Sequence, residues 1–226
     1  LAYGCMMMSP YAPPPAGLPE TVYRDEYLLV VNKPSGLLSV PGRGPEKADC
    51  LVSRVQSEEP SASIVHRLDM ETSGLLILAL SSEVQRKMSK MFERRAVNKT
   101  YVALVAGDPA QDEGQVDLPL AKDWPNRPLQ KVDMDTGKPS QTGWRVLRRA
   151  KTYALMELVP VTGRTHQLRV HMEAIGHPIL GDTLYGDAVS RARADRLALH
   201  ACRLMFDHPM TGVALDLRSP AEFVSV

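Results

Sequence analysis

The 226-residue sequence predicts an α+β fold: a mixed, mostly antiparallel sheet flanked by helices and loops. Three observations point there. Strand-length apolar runs outnumber amphipathic helical segments. The connections between runs are mostly of hairpin length, shorter than parallel crossovers require. Residues 75–80, Leu-Leu-Ile-Leu-Ala-Leu, form an unbroken apolar run hinged at Gly74 and stopped by Ser81 and Ser82, the pattern of a strand buried on both faces.

Residues 1–19, with three Met and five Pro, read as a flexible leader, with Met6, Met7 and Met8 as candidate natural starts. Residues 27–31 form a strand ended by the turn Asn32-Lys33-Pro34-Ser35-Gly36. Residues 39–45 are a loop, and its Gly42-Arg43-Gly44 is too short to cradle a phosphate. Leu51, Val52 and Val55 share a face of a helix over 49–58, with Asp49 as N-cap. A polar loop over 66–74 then feeds the central strand. Val84, Met88, Met91 and Phe92 mark an amphipathic helix over 82–95 with basic residues on its other face. A strand over 99–107 ends at Gly107-Asp108-Pro109, and 108–139 hold short strands and a long polar loop through 123–128. Residues 141–147 and 152–161 read as a hairpin. Thr165 is the N-cap candidate of a helix carrying Leu168, Met172 and Ile175, stopped at Gly176-His177-Pro178. Strands over 199–206 and 213–217 close the chain. With no repeat or linker, residues 20–226 form one expected domain.

A hydrophobic content of 44% and a charged content of 23% are those of an ordinary globular protein. No apolar run approaches the ~18 residues of a membrane span, and the leader lacks a signal peptide's basic and apolar regions. Cys5, Cys50 and Cys202 are odd in number and widely spaced, against a disulfide framework and for a reducing cytoplasm. Net charge is only +1, but the bases are clustered: Arg86, Lys87, Lys90, Arg94, Arg95 and Lys99; Arg145, Arg148, Arg149 and Lys151; Arg191, Arg193 and Arg196. A patchy basic surface fits a structured anionic substrate that must be released. Solvated helix faces explain any one cluster as well.

The loop His66-Arg67-Leu68-Asp69-Met70-Glu71-Thr72-Ser73-Gly74 puts a carboxylate, a guanidinium and an imidazole at the mouth of the central strand. Chemistry is commonly placed on such loops, although a lone Asp there is more often a turn-forming residue. Taken whole, His-Arg-Leu-Asp-x-x-Thr-Ser-Gly resembles the catalytic motif of the RluA family of RNA pseudouridine synthases. The likeness extends from about residue 27 to 223. It includes Asn32-Lys33-Pro34-Ser35-Gly36-Leu37, Gly163-Arg164-Thr165-His166-Gln167-Leu168-Arg169, the segment from His177 to Gly186 and Leu199-His200-Ala201.

The resemblance implies the pseudouridine-synthase fold around a central RNA-binding cleft, and a role for each of several residues. Asp69 would be the nucleophile, attacking either the uracil ring or ribose C1′. Arg169 would pair with it and keep it ionised; the bland alternative is a surface i,i+4 pair with Glu173. Tyr101 would stack on the target uracil, where otherwise it is a half-buried strand tyrosine. Arg67 would fill the gap left by the departing uridine, and His66 would order the loop. Further RNA contacts are expected from Arg94, Arg95, Lys99, Arg127, Arg164 and His166. The reaction is redox-neutral and needs no cofactor. His166 and His171 lack the spacing of a zinc site, so no metal is expected.

Only 31 residues precede the motif that begins at Asn32, so an S4-type RNA-binding domain is not expected. Together with Val40-Pro41-Gly42-Arg43 and the segment 123–132, this places the chain beside family members acting on both tRNA and 23S rRNA, at uridine 32 of anticodon loops and uridine 746. A monomer without an obligate protein partner is expected. Two other readings stand beside this one: a nucleoside or RNA glycosidase, for which Glu71 is the nearby second acid but points elsewhere on an extended loop, and a non-catalytic RNA-binding module.

Overall fold

The computed structural model describes residues 11–225. Along the chain lie β1 (Glu20–Arg24), β2 (Leu28–Lys33), α1 (Leu51–Gln56), β3 (Ser63–Ile64), β4 (Ser73–Ala79), α2 (Ser82–Glu93), β5 (Asn98–Ala106) and β6 (Glu113–Asp117). Then come β7 (Leu120–Lys122), β8 (Gln130–Val132), β9 (Gln141–Arg149), β10 (Tyr153–Pro160), α3 (Gln167–Ala174), α4 (Ala188–Arg191), β11 (Leu199–Asp207) and β12 (Ala214–Arg218). Ten strands form one sheet in the order β1-β2-β4-β11-β5-β10-β9-β6, with β3 beside β4 and β12 beside β11; β7 and β8 form a separate hairpin. The sheet is mixed and mostly antiparallel, as the sequence predicts.

The central strand β4 is buried at all seven positions. Its side chains alternate between two layers. Leu76 and Leu78 join Leu29 and Val31 against α1, while Leu75 and Ile77 join Leu28 and Val30 against Val84 and Met88 of α2. A strand covered on both faces is why the run carries no polar alternation. Its pairing with β11 is parallel and brief, His200 opposite Ser73 and Ala201 opposite Gly74. Gly74 has φ +112°, and a Cβ there would stand 2.4 Å from the Ala201 carbonyl oxygen. Glycine is thus required where β4 meets β11. That junction opens the sheet's centre, and the Asp69 loop enters there.

Several local expectations change. Asp49 does not cap α1. Its carboxylate is taken by Arg54 (Nε–Oδ1 2.7 Å, Nη2–Oδ2 2.8 Å). Cys50 is the N-cap, its N–H donating to Ser53 Oγ at 3.0 Å. The cap of α3 is His166, in the left-handed region at φ 54°, rather than Thr165. Here Gln167 reaches back, its Oε1 accepting from the Thr162 hydroxyl (2.7 Å) and the Arg164 N–H (3.0 Å). Strand β1 is an addition to the expected elements, formed where Thr21, Val22 and Tyr23 favour extended chain. The candidate starts and Cys5 lie outside the described residues. In place of a free leader, residues 11–17 are held to the body: the Tyr11 hydroxyl donates to Asp49 O (2.9 Å) and Arg54 donates to Pro14 and Pro15 carbonyls. No helix among the described residues is long and apolar enough to cross a membrane.

Candidate active site

The loop carrying Asp69 is gripped from behind by the segment 33–39. The Ser39 hydroxyl donates to Leu68 O (2.7 Å) and accepts from Leu68 N–H (3.2 Å). Gly36 N–H donates to Met70 O (2.9 Å), and the Ser35 hydroxyl to Glu71 O (2.6 Å). Lys33 is wholly buried, its ammonium donating to the carbonyls of Pro34 (2.9 Å), Leu37 (2.8 Å) and Met70 (3.0 Å). Backbone groups on both sides of Asp69 are therefore fixed, which holds the loop in one shape.

Burial pushes the Lys33 pKa down to about 7, with the Asp69 charge working the other way. The sign follows from linkage. Between about pH 7 and the ordinary lysine value of ~10.4 the unfolded chain binds the extra proton, so stability rises with pH across that window. A Lys33→Met variant should lose the Lys33 share of this slope and rise less steeply. Thermal melts of both proteins from pH 6 to 10 check it; parallel curves would refute a depressed Lys33.

Arg169, on α3, is the hub of the site. Its side chain is 2% exposed and meets three carboxylates. Nε and Nη2 form a fork on Asp182 (2.8 and 2.6 Å). Nη2 also donates to Glu71 (2.9 Å), and Nη1 stands 4.0 Å from Asp69 Oδ2. Burial opposes the guanidinium charge, but Asp182 foremost, then Glu71 and Asp69, hold its pKa above the ordinary value. Asp182, wholly buried, is lowered: burial raises it, but Arg169 and the Leu184 and Tyr185 N–H groups outweigh that. The expected Asp69–Arg169 pairing thus exists as a longer contact, and the tight partner is Asp182. The alternative pair with Glu173 does not form. Glu71 does not point away from Asp69. The Thr72 N–H donates to Asp69 O (3.1 Å), closing a turn that sends both carboxylates towards Arg169, and the Thr183 hydroxyl donates to Glu71 (3.0 Å).

These groups border a cleft of about 830 Å³ that Arg67, Asp69, Tyr101, Arg164 and Leu199 help to line. Tyr101 comes from β5 and is only partly buried. Burial, then the neighbouring Asp69, push its hydroxyl pKa well above the ordinary tyrosine value, so it stays protonated at neutral pH. The Asp69 side chain is 29% exposed and accepts no hydrogen bond among the described residues. It is oriented by its loop and left open to the cleft.

Of the expected RNA contacts, His66, Arg67, Arg95, Lys99, Arg164 and His166 line the cleft, whereas Arg94 and Arg127 do not. Arg67 is exposed. His66 accepts from the Ile77 N–H at Nε2 (3.0 Å) and stacks on Phe92 (centroids 4.6 Å apart), and burial drops its pKa to about 3. That makes it a neutral brace. Lys99 is lowered by burial and by Arg95. Arg94 caps the end of α2, and Arg127 lies on the β7–β8 hairpin. In the other basic clusters three residues meet acids: Arg149 with Asp108 and Asp112, Arg145 with Glu157 and Arg196 with Glu222.

Sequence reasoning gave Asp182 and Tyr185 no role of their own within the segment from His177 to Gly186. The Tyr185 ring lies 5.3 Å from the Arg169 guanidinium carbon, and its hydroxyl is 2.7 Å from His166 Nδ1. His171, with Nδ1 on Thr142 Oγ1 (2.9 Å) and Nε2 on Leu118 O (3.0 Å), is a satisfied core histidine.

The mixed sheet that carries the cleft lined by Asp69, Tyr101 and Arg169 is the fold of a known class. The chain belongs to the RNA pseudouridylate synthase family, whose model matches residues 27–174. It is 50% identical over 219 residues to the dual-specificity RNA pseudouridine synthase RluA of Escherichia coli K12, covering 96% of this chain and all of that one. It is 51% identical over 203 residues to the RluA of Yersinia pestis, covering 89% and 98% respectively. Among solved structures, human RNA pseudouridylate synthase domain containing 1 aligns with a TM-score of 0.76 at 30% identity, covering 93% of this chain and 87% of that one. The protein is an isomerase that makes pseudouridine in RNA.

Proposed function

We propose that the enzyme converts a uridine of tRNA anticodon loops (uridine 32) and one of 23S rRNA (uridine 746), with Asp69 as nucleophile on an extruded nucleotide. One observation carries the assignment of roles: Asp69, Tyr101 and Arg169 come from three distant segments and converge on one cleft. A base must leave its stack before its glycosidic bond can be reached. The partly open Tyr101 ring offers the flat surface to receive the uracil, and the exposed Arg67 can fill the vacated position.

The net reaction breaks C1′–N1, turns the uracil, joins C5 to C1′, releases the C5 proton and leaves a proton on N1. No electrons are gained or lost, so side chains suffice without a cofactor. Attack by the Asp69 carboxylate on C1′ or on the ring detaches N1 and holds the intermediate while the base rotates. Arg169 Nη1 faces the carboxylate without locking it into a short ion pair, because Asp182 and Glu71 share the guanidinium charge. The same reading takes the enzyme as a single-domain monomer working in the cytoplasm, where tRNA and 23S rRNA reside.

Incubating purified protein with tRNA and a 23S rRNA fragment, then analysing nucleosides by mass spectrometry, tests the reading. Pseudouridine at the two positions is expected. Release of free uracil would mean a glycosidase, and binding without turnover a non-catalytic module. Charge placement makes a separate prediction. Arg95→Glu should weaken RNA binding and reduce the salt slope by about one, whereas Arg94→Glu, outside the cleft, should change it less. Equal effects in filter-binding titrations would show that the RNA path does not follow the cleft.

A further inference from the structure

The β7–β8 hairpin projects a side chain that the catalytic account leaves unused. Trp124 is 59% exposed, with the Arg127 guanidinium 4.5 Å and the Lys122 ammonium 5.2 Å from its ring. The loop that presents it is ordered by its own bonds: Asp123 N–H to Leu129 O (3.0 Å), Asn126 N–H to Asp123 O (3.1 Å) and Leu129 N–H to Asn126 O (3.0 Å). The Asp123 carboxylate accepts from the Asn126 amide (2.8 Å).

The base of this finger is fastened to the cleft. Gln130, opposite Lys122 in the hairpin, donates its N–H to the Tyr185 hydroxyl (2.9 Å), which itself contacts His166 on the cleft wall. Arg164, also on that wall, donates to Pro139 O just beyond the hairpin (3.4 Å). Trp124 follows Lys122 by two residues, at the bend that opens the turn over 125–128, on the hairpin that Gln130 ties to the cleft wall. RNA with one nucleotide in the cleft would carry its neighbours across this finger.

We propose that Trp124, flanked by Arg127 and Lys122, is a second RNA subsite that stacks on an unpaired base beside the extruded uridine. The inference rests on the proposed loop-RNA substrates. An open indole accepts any base face, and two adjacent cations suit the phosphates on either side. They suit the desolvated centre of a protein–protein interface less well, where lysine is depleted. Through Gln130 and Tyr185 the finger also holds the wall that carries His166, so stacking would set the register of the RNA against Asp69.

The chain has two tryptophans, so Trp144→Phe leaves Trp124 as the only indole reporter. Titrating that variant with an unmodified anticodon stem-loop should quench its fluorescence saturably. Trp124→Ala should raise KM for the same RNA about tenfold, the worth of one base–aromatic stack, with kcat changed less than twofold, and Trp124→Phe should restore most of the loss. Absence of quenching, or an unchanged KM in Trp124→Ala, overturns the inference. A fall in kcat that Trp124→Phe does not restore overturns it too, since that would mark a structural role. Wild-type pseudouridine formation on this RNA is the control: its absence counts against the proposed substrate, while quenching still reports the contact.

Discussion

Asp69→Asn protein should bind its RNA about as tightly as the wild type and form no measurable pseudouridine. The binding half follows because affinity for structured RNA resides mainly in phosphate contacts, which the substitution does not touch. The fold should also survive, since the Asp69 carboxylate accepts no hydrogen bond among the described residues and its loop is held through backbone groups. The catalytic half follows because a carboxamide is a far poorer nucleophile; loss of an attacking group costs roughly 10³-fold or more. Nucleoside analysis beside a binding titration checks both halves. Product at above about a hundredth of the wild-type rate would remove Asp69 from its role.

The second large effect lies at Arg169, where activity and stability should fall together. Arg169→Ala leaves Asp182, wholly buried, and Glu71 without their cation. Stripping one partner from a buried ion pair costs about 3–5 kcal/mol, a drop of roughly 10 °C in melting temperature for a domain of this size. Arg169→Lys separates charge from geometry. One ammonium cannot reproduce the fork on Asp182 while reaching Glu71 and facing Asp69. It should therefore keep part of the stability and lose most of the activity, assayed well below its melting temperature. A lysine variant with near-normal turnover would show that the directed Nη1 does not matter.

The fold class was legible because it is written in run lengths. The β4 run has no polar alternation, as both its faces are covered, and α2 shows its apolar stripe at the spacing of Val84, Met88 and Met91. Asp69, Tyr101 and Arg169 were expected at one site through the family resemblance, and all three line the cleft. What surrounds Arg169 was not legible. Asp182 lies 13 residues away and Glu71 lies 98 residues away, and no local spacing ties either to an arginine on α3. Glu71 was misdirected by treating the loop as extended, when the turn closed by the Thr72 N–H places residues 69 and 71 on one side. The left-handed backbone at His166 was hidden for a related reason, since it depends on Gln167 reaching back to Thr162 and Arg164. Motifs name the participants, but the charge network is a property of tertiary contact.

In the proposed mechanism the Asp69 side chain meets a uracil drawn out of folded RNA onto a tyrosine face. A crystal structure of the Asp69→Asn protein bound to an unmodified anticodon stem-loop tests it most directly. The account predicts the target uracil out of the RNA stack, lying against Tyr101, with the residue 69 side chain next to its ribose or ring and Arg169 still forked on Asp182. A target base that stays stacked in the RNA, or one that enters the cleft away from both Tyr101 and residue 69, would contradict it.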